Sequence, residues 1–212
     1  MRRFLCLFGF VALVTVVPSF ADKLAPSGTT VDDPPSICDA IAGNLVQNCG
    51  FETGDFTDWT QTGDTSFTGV TGGGYANSGT YGAYLGSVSS NDYLSQTITD
   101  SAGTVTLEFW LENEYTGPDD FSVMWDGVTV FGPLTNVGPF GYTEEGPIAL
   151  TSTGSDTLTF VSLQLPSYWG LDDISVVQST SVVPEPTSIV LVVTVVGLCF
   201  VTFRKRASRR VA

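Results

Sequence analysis

The side chains of this sequence that could do chemistry are carboxylates. Residues 24–183 contain 20 acidic residues and no His, Lys or Arg, which gives this segment a formal charge of −20. Ser-His-Asp and Cys-His triads, His-ligated zinc and Schiff-base chemistry are therefore excluded. Nucleic-acid binding is excluded as well, because phosphate contacts need Lys or Arg. Two uses of carboxylates remain, which are glycoside hydrolysis and the binding of a hard cation.

Four pairs of neighbouring acidic residues are candidates for acid–base catalysis. They are Glu112 with Glu114, Asp119 with Asp120, Glu144 with Glu145, and Asp172 with Asp173. Successive residues of a strand point to opposite faces, so only Glu112 and Glu114 are expected to share a face. That pair ends a predicted strand, where solvated acidic residues are common. We therefore predict that the protein is not an enzyme, and a small carboxylate-dependent glycoside hydrolase is the alternative.

The elements that position these carboxylates are predicted to be β-strands. Apolar and polar residues alternate in short runs, as at 104–111 and 121–125, and clusters of Gly, Asn, Asp and Pro separate the runs. Asp126-Gly127 predicts a hairpin turn. Further runs lie at 157–165 and 171–177. Many short strands without a helical stripe predict a β-sandwich or jelly roll over residues 44–178.

The N-terminal end has the pattern of a secretory signal peptide. Arg2 and Arg3 precede an apolar run, which is followed by small residues up to Ala21. This pattern predicts export and the removal of residues 1–21 by signal peptidase. Residues 22–43 are rich in Pro, Ser, Thr and Asp, and predict a linker or extended arm.

Two of the four cysteines are predicted to form a disulfide. Cys6 lies in the signal peptide, and Cys199 lies in an apolar segment near the C-terminus. Cys38 and Cys49 remain, and export favours their pairing. Such a bridge would join the arm to the first strand of the domain.

The C-terminal end has three parts. They are a predicted linker at 179–186 that contains Pro184, Glu185 and Pro186, an uncharged run at 187–203, and residues 204–212 with five cations. A helix of 17 residues spans about 26 Å, near the short end of what crosses a bilayer, so the run predicts a single transmembrane helix. The cations after it predict a cytoplasmic tail.

This three-part order resembles the PEP-CTERM sorting signal of Gram-negative bacteria, a segment also labelled an ice-binding-protein C-terminal domain. The resemblance implies handling by an exosortase, a membrane transpeptidase that cuts near the Pro-Glu-Pro motif. The helix would then be a transient anchor in the inner membrane. Delivery to the cell surface or to a secreted extracellular matrix, such as that of a biofilm, is implied as well.

The central segment resembles galactose-binding-like jelly rolls. Residues 44–54, with Trp59 shortly after, are similar to the opening of such domains, and residues 169–176 are similar to their closing strand. Residues 93–98, before the run at 105–111, are similar to their middle. The resemblance implies a galactose-binding-like jelly-roll β-sandwich, a fold of many bacterial carbohydrate-binding modules. It therefore implies an extracellular polysaccharide as the partner.

The same resemblance implies a structural Ca²⁺. In that fold the ion often joins the first loop to the last strand, which would make Glu52 and one of Asp172 and Asp173 its ligands. Hard oxygen ligands suit Ca²⁺, and a bound cation would offset part of the negative charge. The alternative is that Glu52 pairs with a backbone turn, and that Asp172 and Asp173 are solvated.

Sugar binding needs an aromatic platform with polar groups beside it. Trp110 faces away from the apolar stripe of its strand, while Tyr115 and Tyr168 lie in predicted loops beside acidic residues. With Trp169 they are the candidate ligand-binding residues. Two other tryptophans at apolar-face positions are predicted to be core residues, Trp59 and Trp125.

The predictions combine into an exported, acidic β-sandwich at the cell surface or in the extracellular matrix, which binds carbohydrate or a matrix polymer. A purely structural surface protein without a specific ligand is the third hypothesis, beside the glycoside hydrolase.

Overall fold

Ten β-strands and one short 3-10 helix form residues 34–179, the part of the chain that this computed structural model describes. The helix spans Ile37–Ala40, and the strands are β1 Thr60–Gly63, β2 Thr68–Gly72, β3 Tyr81–Leu85, β4 Asp92–Thr99, β5 Gly103–Asn113, β6 Asp119–Trp125, β7 Val128–Thr135, β8 Phe140–Ser152, β9 Ser155–Gln164 and β10 Trp169–Gln178. The predicted signal peptide, the Pro-Glu-Pro motif, the predicted helix at 187–203 and the basic tail lie outside the described residues. Within 34–179, no helix has the length and apolar character needed to cross a membrane.

The strands form two five-stranded sheets. The back sheet has the order β1-β4-β9-β6-β7, and the front sheet has the order β2-β3-β10-β5-β8. All neighbouring strands are antiparallel, and the chain changes sheets repeatedly as it proceeds. This is an all-β jelly-roll sandwich, so the predicted fold class of the central domain is confirmed.

The core between the sheets follows the alternation visible in the sequence. On β5, Val105, Leu107, Phe109 and Leu111 are fully buried, whereas the residues between them face outward. Burial of each large apolar side chain contributes about 1.5–3 kcal/mol. The two-residue turn predicted after β6 is confirmed, because the residues at 126 and 127 have φ values of 51° and 75° between paired strands.

Aromatic rings fill the centre of this core. Phe109 of the front sheet packs edge-on against Phe160 of the back sheet, with ring centroids 5.4 Å apart. Phe121 contacts both Phe160 and Trp169, at 6.2 and 5.3 Å. The two tryptophans predicted to be core residues are buried, Trp59 and Trp125.

The arm predicted at 22–43 is too long, because residues 34–43 belong to the folded domain. Cys38 in the 3-10 helix is fully buried and is joined to Cys49 by a disulfide. The amide of Cys38 donates to the carboxylate of Asp173 at 3.3 Å, and Asn44 forms a β-bridge with Val177. The described end of the predicted arm is therefore packed against β10.

Candidate functional site

The outer face of the front sheet carries a row of alternating small and large residues. Across four strands, the register aligns Gly69, Tyr84, Gly170 and Glu112 in this order. A Cβ on Gly69 would lie 2.5 Å from the Tyr84 hydroxyl, and one on Gly170 would lie 2.6 Å from Oε1 of Glu112. The glycines thus let both large side chains lie directly on the backbone of the sheet.

Three tyrosines, called the tyrosine cluster below, pack together on this face. Tyr84 on β3 meets Tyr168 from the β9–β10 connection, with ring centroids 5.4 Å apart and nearly perpendicular planes. Tyr75 lies against both, 5.7 Å from Tyr84 and 5.8 Å from Tyr168. Tyr168 also covers Gly86, where any side chain would collide with the ring. All three tyrosines are half-buried, so the cluster presents an aromatic surface to solvent.

Two carboxylates border the tyrosine cluster. Oε2 of Glu114 accepts hydrogen bonds from the hydroxyl groups of Tyr75 at 2.7 Å and Ser167 at 3.1 Å. Oε1 of Glu112 is shielded from solvent and has no hydrogen-bond partner among the described residues. Burial, together with the negative charge of Glu114, raises the pKa of Glu112 from 4.5 to about 7. Burial and the bond to Glu114 also raise the pKa of Tyr75.

Two concavities adjoin these residues. One of about 380 Å³ is lined by Glu112, Asn113, Glu114, Pro139, Phe140 and Gly141. The other, of about 180 Å³, is mostly apolar and is lined by Phe67, Gly86, Val88, Leu165, Pro166, Ser167 and Tyr168. The first is therefore a carboxylate-lined hollow at Glu112 and Glu114, and the second is an apolar hollow at Tyr168.

Residues 73–80, the β2–β3 loop that carries Tyr75, are folded onto the front sheet. The hydroxyl of Tyr142 on β8 donates to the carbonyl of Tyr75 at 2.6 Å. Gly82 lies so close to that carbonyl that a Cβ there would collide with it. Burial raises the pKa of Tyr142, which keeps its hydroxyl protonated as a donor. These contacts fix the backbone of the loop at Tyr75.

Two buried aspartates at the middle of β10 hold the rest of the loop. Asp172 is fully buried, and its Oδ2 accepts hydrogen bonds from the amides of Asn77 at 2.8 Å and Ser78 at 3.2 Å. Asp173 is 3% exposed and accepts from the side chains of Asn77 at 2.8 Å and Ser78 at 2.7 Å. Burial, followed by the neighbouring charge of Asp173, raises the pKa of Asp172 from 3.8 to about 8.

Glu52 holds the end of the same loop. Its carboxylate accepts hydrogen bonds from the amides of Thr80 at 3.0 Å and Tyr81 at 3.3 Å. Burial raises the pKa of Glu52, the two amide bonds oppose that rise, and the charges of Asp39 and Asp173 add to it. Three carboxylates from two distant parts of the sequence therefore share one structural task, which is to position the loop of Tyr75.

The residues predicted to bind Ca²⁺ lie around this loop, but their ligand atoms do not converge. Among the described acidic, Cys and His residues, three ligand atoms come within 4.8 Å of one another only at Cys38, Asp39 and Cys49, where the two sulfurs form the disulfide. The carboxylates supply the hard oxygens that Ca²⁺ prefers, but these oxygens accept N–H and O–H donors here. In the described geometry the donors of the loop therefore occupy these oxygens, and an ion at the predicted site would have to displace them. The alternative of solvated aspartates is wrong, because both aspartates are buried.

The structure places one of the four aromatic candidates in the tyrosine cluster, namely Tyr168. Trp110 is half-buried on the same outer face, and Tyr115 is 52% exposed in the loop after β5. Trp169 is wrong as a ligand-binding residue. It begins β10 with its ring in the core, is fully buried, and donates its indole N–H to a backbone carbonyl at 3.2 Å.

The residue pattern does not distinguish Tyr75 and Tyr84 as binding residues from the other tyrosines. A signal exists for Tyr84, because Gly82 and Gly86 precede and follow it at alternate positions, and a strand glycine often marks a close approach of another group. No local signal marks Tyr75. Its position depends on contacts with residues far away in the sequence.

No protein-family model matches this chain, and no curated protein sequence matches it either. Solved structures are similar to it, among them the carbohydrate-binding module TmCBM61 in complex with β-1,4-galactotriose, at 22% identity over 65% of this chain and 100% of that chain, with a TM-score of 0.49. A cleaved adhesin domain of Lys-gingipain from Porphyromonas gingivalis is 13% identical over 61% of this chain and 96% of that chain, with a TM-score of 0.48. A family 35 carbohydrate-binding module from Clostridium thermocellum is 16% identical over 59% of this chain and 95% of that chain, with a TM-score of 0.41. At these sequence identities and TM-scores, the structural similarity gives no information about a ligand. Any ligand has to be inferred from the residues of this chain.

Proposed function

We propose that this protein binds carbohydrate at the tyrosine cluster and the adjoining Glu112 and Glu114. The observation that carries the proposal is the position of three tyrosine rings on an outer sheet face, beside two carboxylates and two concavities. Aromatic faces stack on the apolar face of a sugar ring, and carboxylates accept hydrogen bonds from its hydroxyl groups.

The site is also held in place before any ligand arrives. Tyr75 and Ser167 donate to the same oxygen of Glu114, and Tyr84 lies on the backbone at Gly69. Little side-chain freedom remains to be lost on binding, which favours affinity.

Glycan-array binding of the full-length chain, followed by titration of the best glycan, tests this proposal. We expect Tyr84→Ala and Tyr168→Ala each to weaken binding by about tenfold, since a lost aromatic contact is worth roughly 1.4 kcal/mol. Tyr93→Ala is the matched control, because Tyr93 is a 37% exposed tyrosine on the back sheet. Unchanged binding by Tyr168→Ala would overturn the proposed site, and an absence of all glycan binding would leave the purely structural surface protein.

Glycoside hydrolysis is the second candidate function, and the state of Glu112 favours it. A carboxyl group whose pKa is about 7, beside a second carboxylate, is an arrangement that glycoside hydrolases use. The test is the release of reducing ends from the bound glycan. Release that disappears in Glu112→Gln would support hydrolysis, and intact glycan after long incubation supports binding alone.

We also propose, from the sequence, that a structural Ca²⁺ binds at Glu52, Asp172 and Asp173. The support is the chemistry of three carboxylates around one loop in a domain without basic residues. Binding would require the loop donors to move away from the carboxylate oxygens. The expected result is a melting temperature that rises with Ca²⁺ but not with equal Mg²⁺, and a rise that Glu52→Gln abolishes. A melting temperature that chelator leaves unchanged overturns this proposal.

We further propose that the protein is exported and sorted through its C-terminal segment to the cell surface or extracellular matrix, with signal peptidase and exosortase as processing partners. The support is the order of the sequence motifs at both ends. Mass spectrometry of the mature protein from its own host should find an N-terminus after Ala21 and a C-terminus near Pro184. A mature protein that retains residues 187–212 contradicts the sorting proposal.

A further inference from the structure

We propose that the carbohydrate bound at the tyrosine cluster is an amino sugar polymer, whose protonated amine lies between Glu112, Glu114 and the tyrosine rings. This inference rests on the proposed function and adds the charge class of the ligand. It has three supports, which are an unpartnered carboxylate oxygen, the lack of any basic residue in the domain, and the aromatic faces beside the carboxylates.

The first support is the unsatisfied oxygen of Glu112. Its Oε1 is shielded from solvent and receives no hydrogen bond from the described residues. The hydroxyl group of Tyr142 also lies beside Gly170, but it donates to the carbonyl of Tyr75. An unpaired polar atom that is removed from water costs free energy, so a ligand whose donor draws this carboxyl group outward relieves that cost.

The second support is the absence of a countercharge. Of the 22 acidic residues, 18 lie within 34–179, and this range contains no Lys, Arg or His. Glu112 and Glu114 therefore repel each other when both are ionised, and no basic side chain of the domain can offset that repulsion. One ammonium group offers a positive charge and three N–H donors, which suits both carboxylates at once.

The third support is the tyrosine cluster itself. The face of an aromatic ring attracts a cation within about 6 Å of its centre. Tyr75 joins the two features, because its ring belongs to the cluster and its hydroxyl donates to Glu114. A sugar that stacks on the cluster can therefore place an amine substituent beside the carboxylates.

The same charges discriminate against other polysaccharides. A uronic-acid or sulfated polymer would bring anions toward Glu112 and Glu114 with no basic group to receive them, and like charges in an interface are strongly unfavourable. A neutral sugar can donate hydroxyl hydrogen bonds to Glu112, but it leaves the repulsion between the two carboxylates in place.

The experiment compares a glucosamine hexasaccharide with its fully N-acetylated counterpart, because the two differ only in whether each nitrogen is a free amine or an uncharged acetamide. Each is titrated into the full-length chain at about pH 7, where Glu112 is about half ionised and an ordinary amine is still mostly protonated. We expect the free-amine hexasaccharide to bind at least about tenfold more tightly. Glu112→Gln and Glu114→Gln should each reduce this preference, and Tyr168→Ala should weaken both ligands.

A matched control separates a specific site from general attraction to an acidic protein. Asp58 is exposed, its side chain makes no hydrogen bond with the described residues, and its φ of 69° suits Asn as well as Asp. Asp58→Asn therefore removes one distant charge and should keep the full preference. An equal loss of preference in Asp58→Asn and Glu112→Gln overturns the inference.

The wild-type comparison distinguishes this inference from the proposed function. Equal affinity for the two hexasaccharides, or binding to a neutral or anionic glycan only, overturns the amino-sugar inference and leaves carbohydrate binding intact. Failure to bind any glycan removes both. Melting temperatures of the variants show whether a lost preference follows from unfolding, and the wild-type result decides the inference in either case.

Discussion

Glu112 has an environment unlike that of an ordinary surface glutamate. It lies against the backbone because Gly170 has no side chain, and Glu114 adds a like charge beside it. Tyr142 approaches from β8 but donates to a carbonyl instead. The carboxyl group therefore keeps its proton to a higher pH, and the folded domain loses stability when that proton leaves.

The pH dependence of stability tests this environment. Because the pKa of Glu112 is about 7 in the folded state and near its ordinary 4.5 in the unfolded state, ionisation is easier after unfolding. The contribution of Glu112 to stability is thus greatest below about pH 4.5 and is lost as the pH rises to about 7. We expect the melting temperature of the wild type to fall relative to Glu112→Gln across this window. Parallel curves would contradict the buried, unpaired state of this carboxyl group.

Residue types alone predict only part of the candidate site. Tyr168 is predicted because it lies in a loop next to a strand end, where binding residues concentrate. Trp169, the next residue, is misassigned because one step along an extended chain moves a side chain from solvent to core. Glu112 is considered for catalysis, but its missing partner is visible only after β8 and β10 are placed beside β5.

At the scale of elements, the loop at 73–80 connects the buried pair Asp172 and Asp173 to the tyrosine cluster. Its amides and polar side chains bond to Asp172 and Asp173, while its carbonyl at Tyr75 accepts from β8. Buried carboxylates that bond to several N–H groups specify a backbone conformation, because each lost bond would leave an unsatisfied buried group. The loop is therefore part of the domain fold and holds Tyr75 in the site.

A glycine substitution at the edge of this loop tests its role. Gly82→Ala places a methyl group against the carbonyl of Tyr75, so the loop must shift. We expect destabilisation of about 1–3 kcal/mol and weaker carbohydrate binding, because Tyr75 leaves the cluster. Gly74→Ala is the matched control, since a Cβ at Gly74 meets no atom within 4 Å. Unchanged binding by Gly82→Ala, measured by titration, would show that the loop position does not matter.

The disulfide at Cys38 and Cys49 gives a second prediction at this scale. The bridge closes a segment with a sequence separation of 11, and the chain-entropy model assigns such a loop about 3 kcal/mol. We expect reductant to lower the free energy of unfolding of the wild type by about this amount in urea titrations. The double variant Cys38→Ala with Cys49→Ala should not respond to reductant. A wild type that is equally stable after reduction would contradict the prediction.

Strands in which apolar and polar residues alternate are predictable from the sequence, whereas strands and loops without this alternation are not. β5 is predicted because its apolar residues recur at every second position and fill the core. β2 and β3 consist mostly of Gly, Thr and Tyr, and their strand structure comes from pairing with each other and with β10. The loop between them is fixed by aspartates about 95 residues away, which no local pattern records.

The domain at residues 34–179 combines a well-packed core with a surface whose charged side chains are all acidic. All charged residues within 34–179 are acidic, so no ion pair between side chains offsets their repulsion there. Backbone amides and hydroxyl groups take the place of basic side chains around many of these carboxylates, as at Asp64, which accepts from two serines. Local hydrogen bonds satisfy individual groups, but the long-range repulsion between them persists.

Screening of this repulsion should stabilise the domain. The Debye length falls from about 30 Å at 0.01 M salt to about 3 Å at 1 M, so NaCl weakens repulsion between separate surface carboxylates. We expect the melting temperature to rise by several degrees over this range, on the order of 1 kcal/mol. Most of the rise in melting temperature should occur below about 0.3 M NaCl, because screening saturates with increasing salt. Exclusion of salt from the protein surface would instead raise the melting temperature steadily over the whole range. A melting temperature that does not depend on NaCl would mean that bound cations already neutralise the surface. The same titration therefore tests whether the acidic surface of the domain is free to attract a cationic polymer.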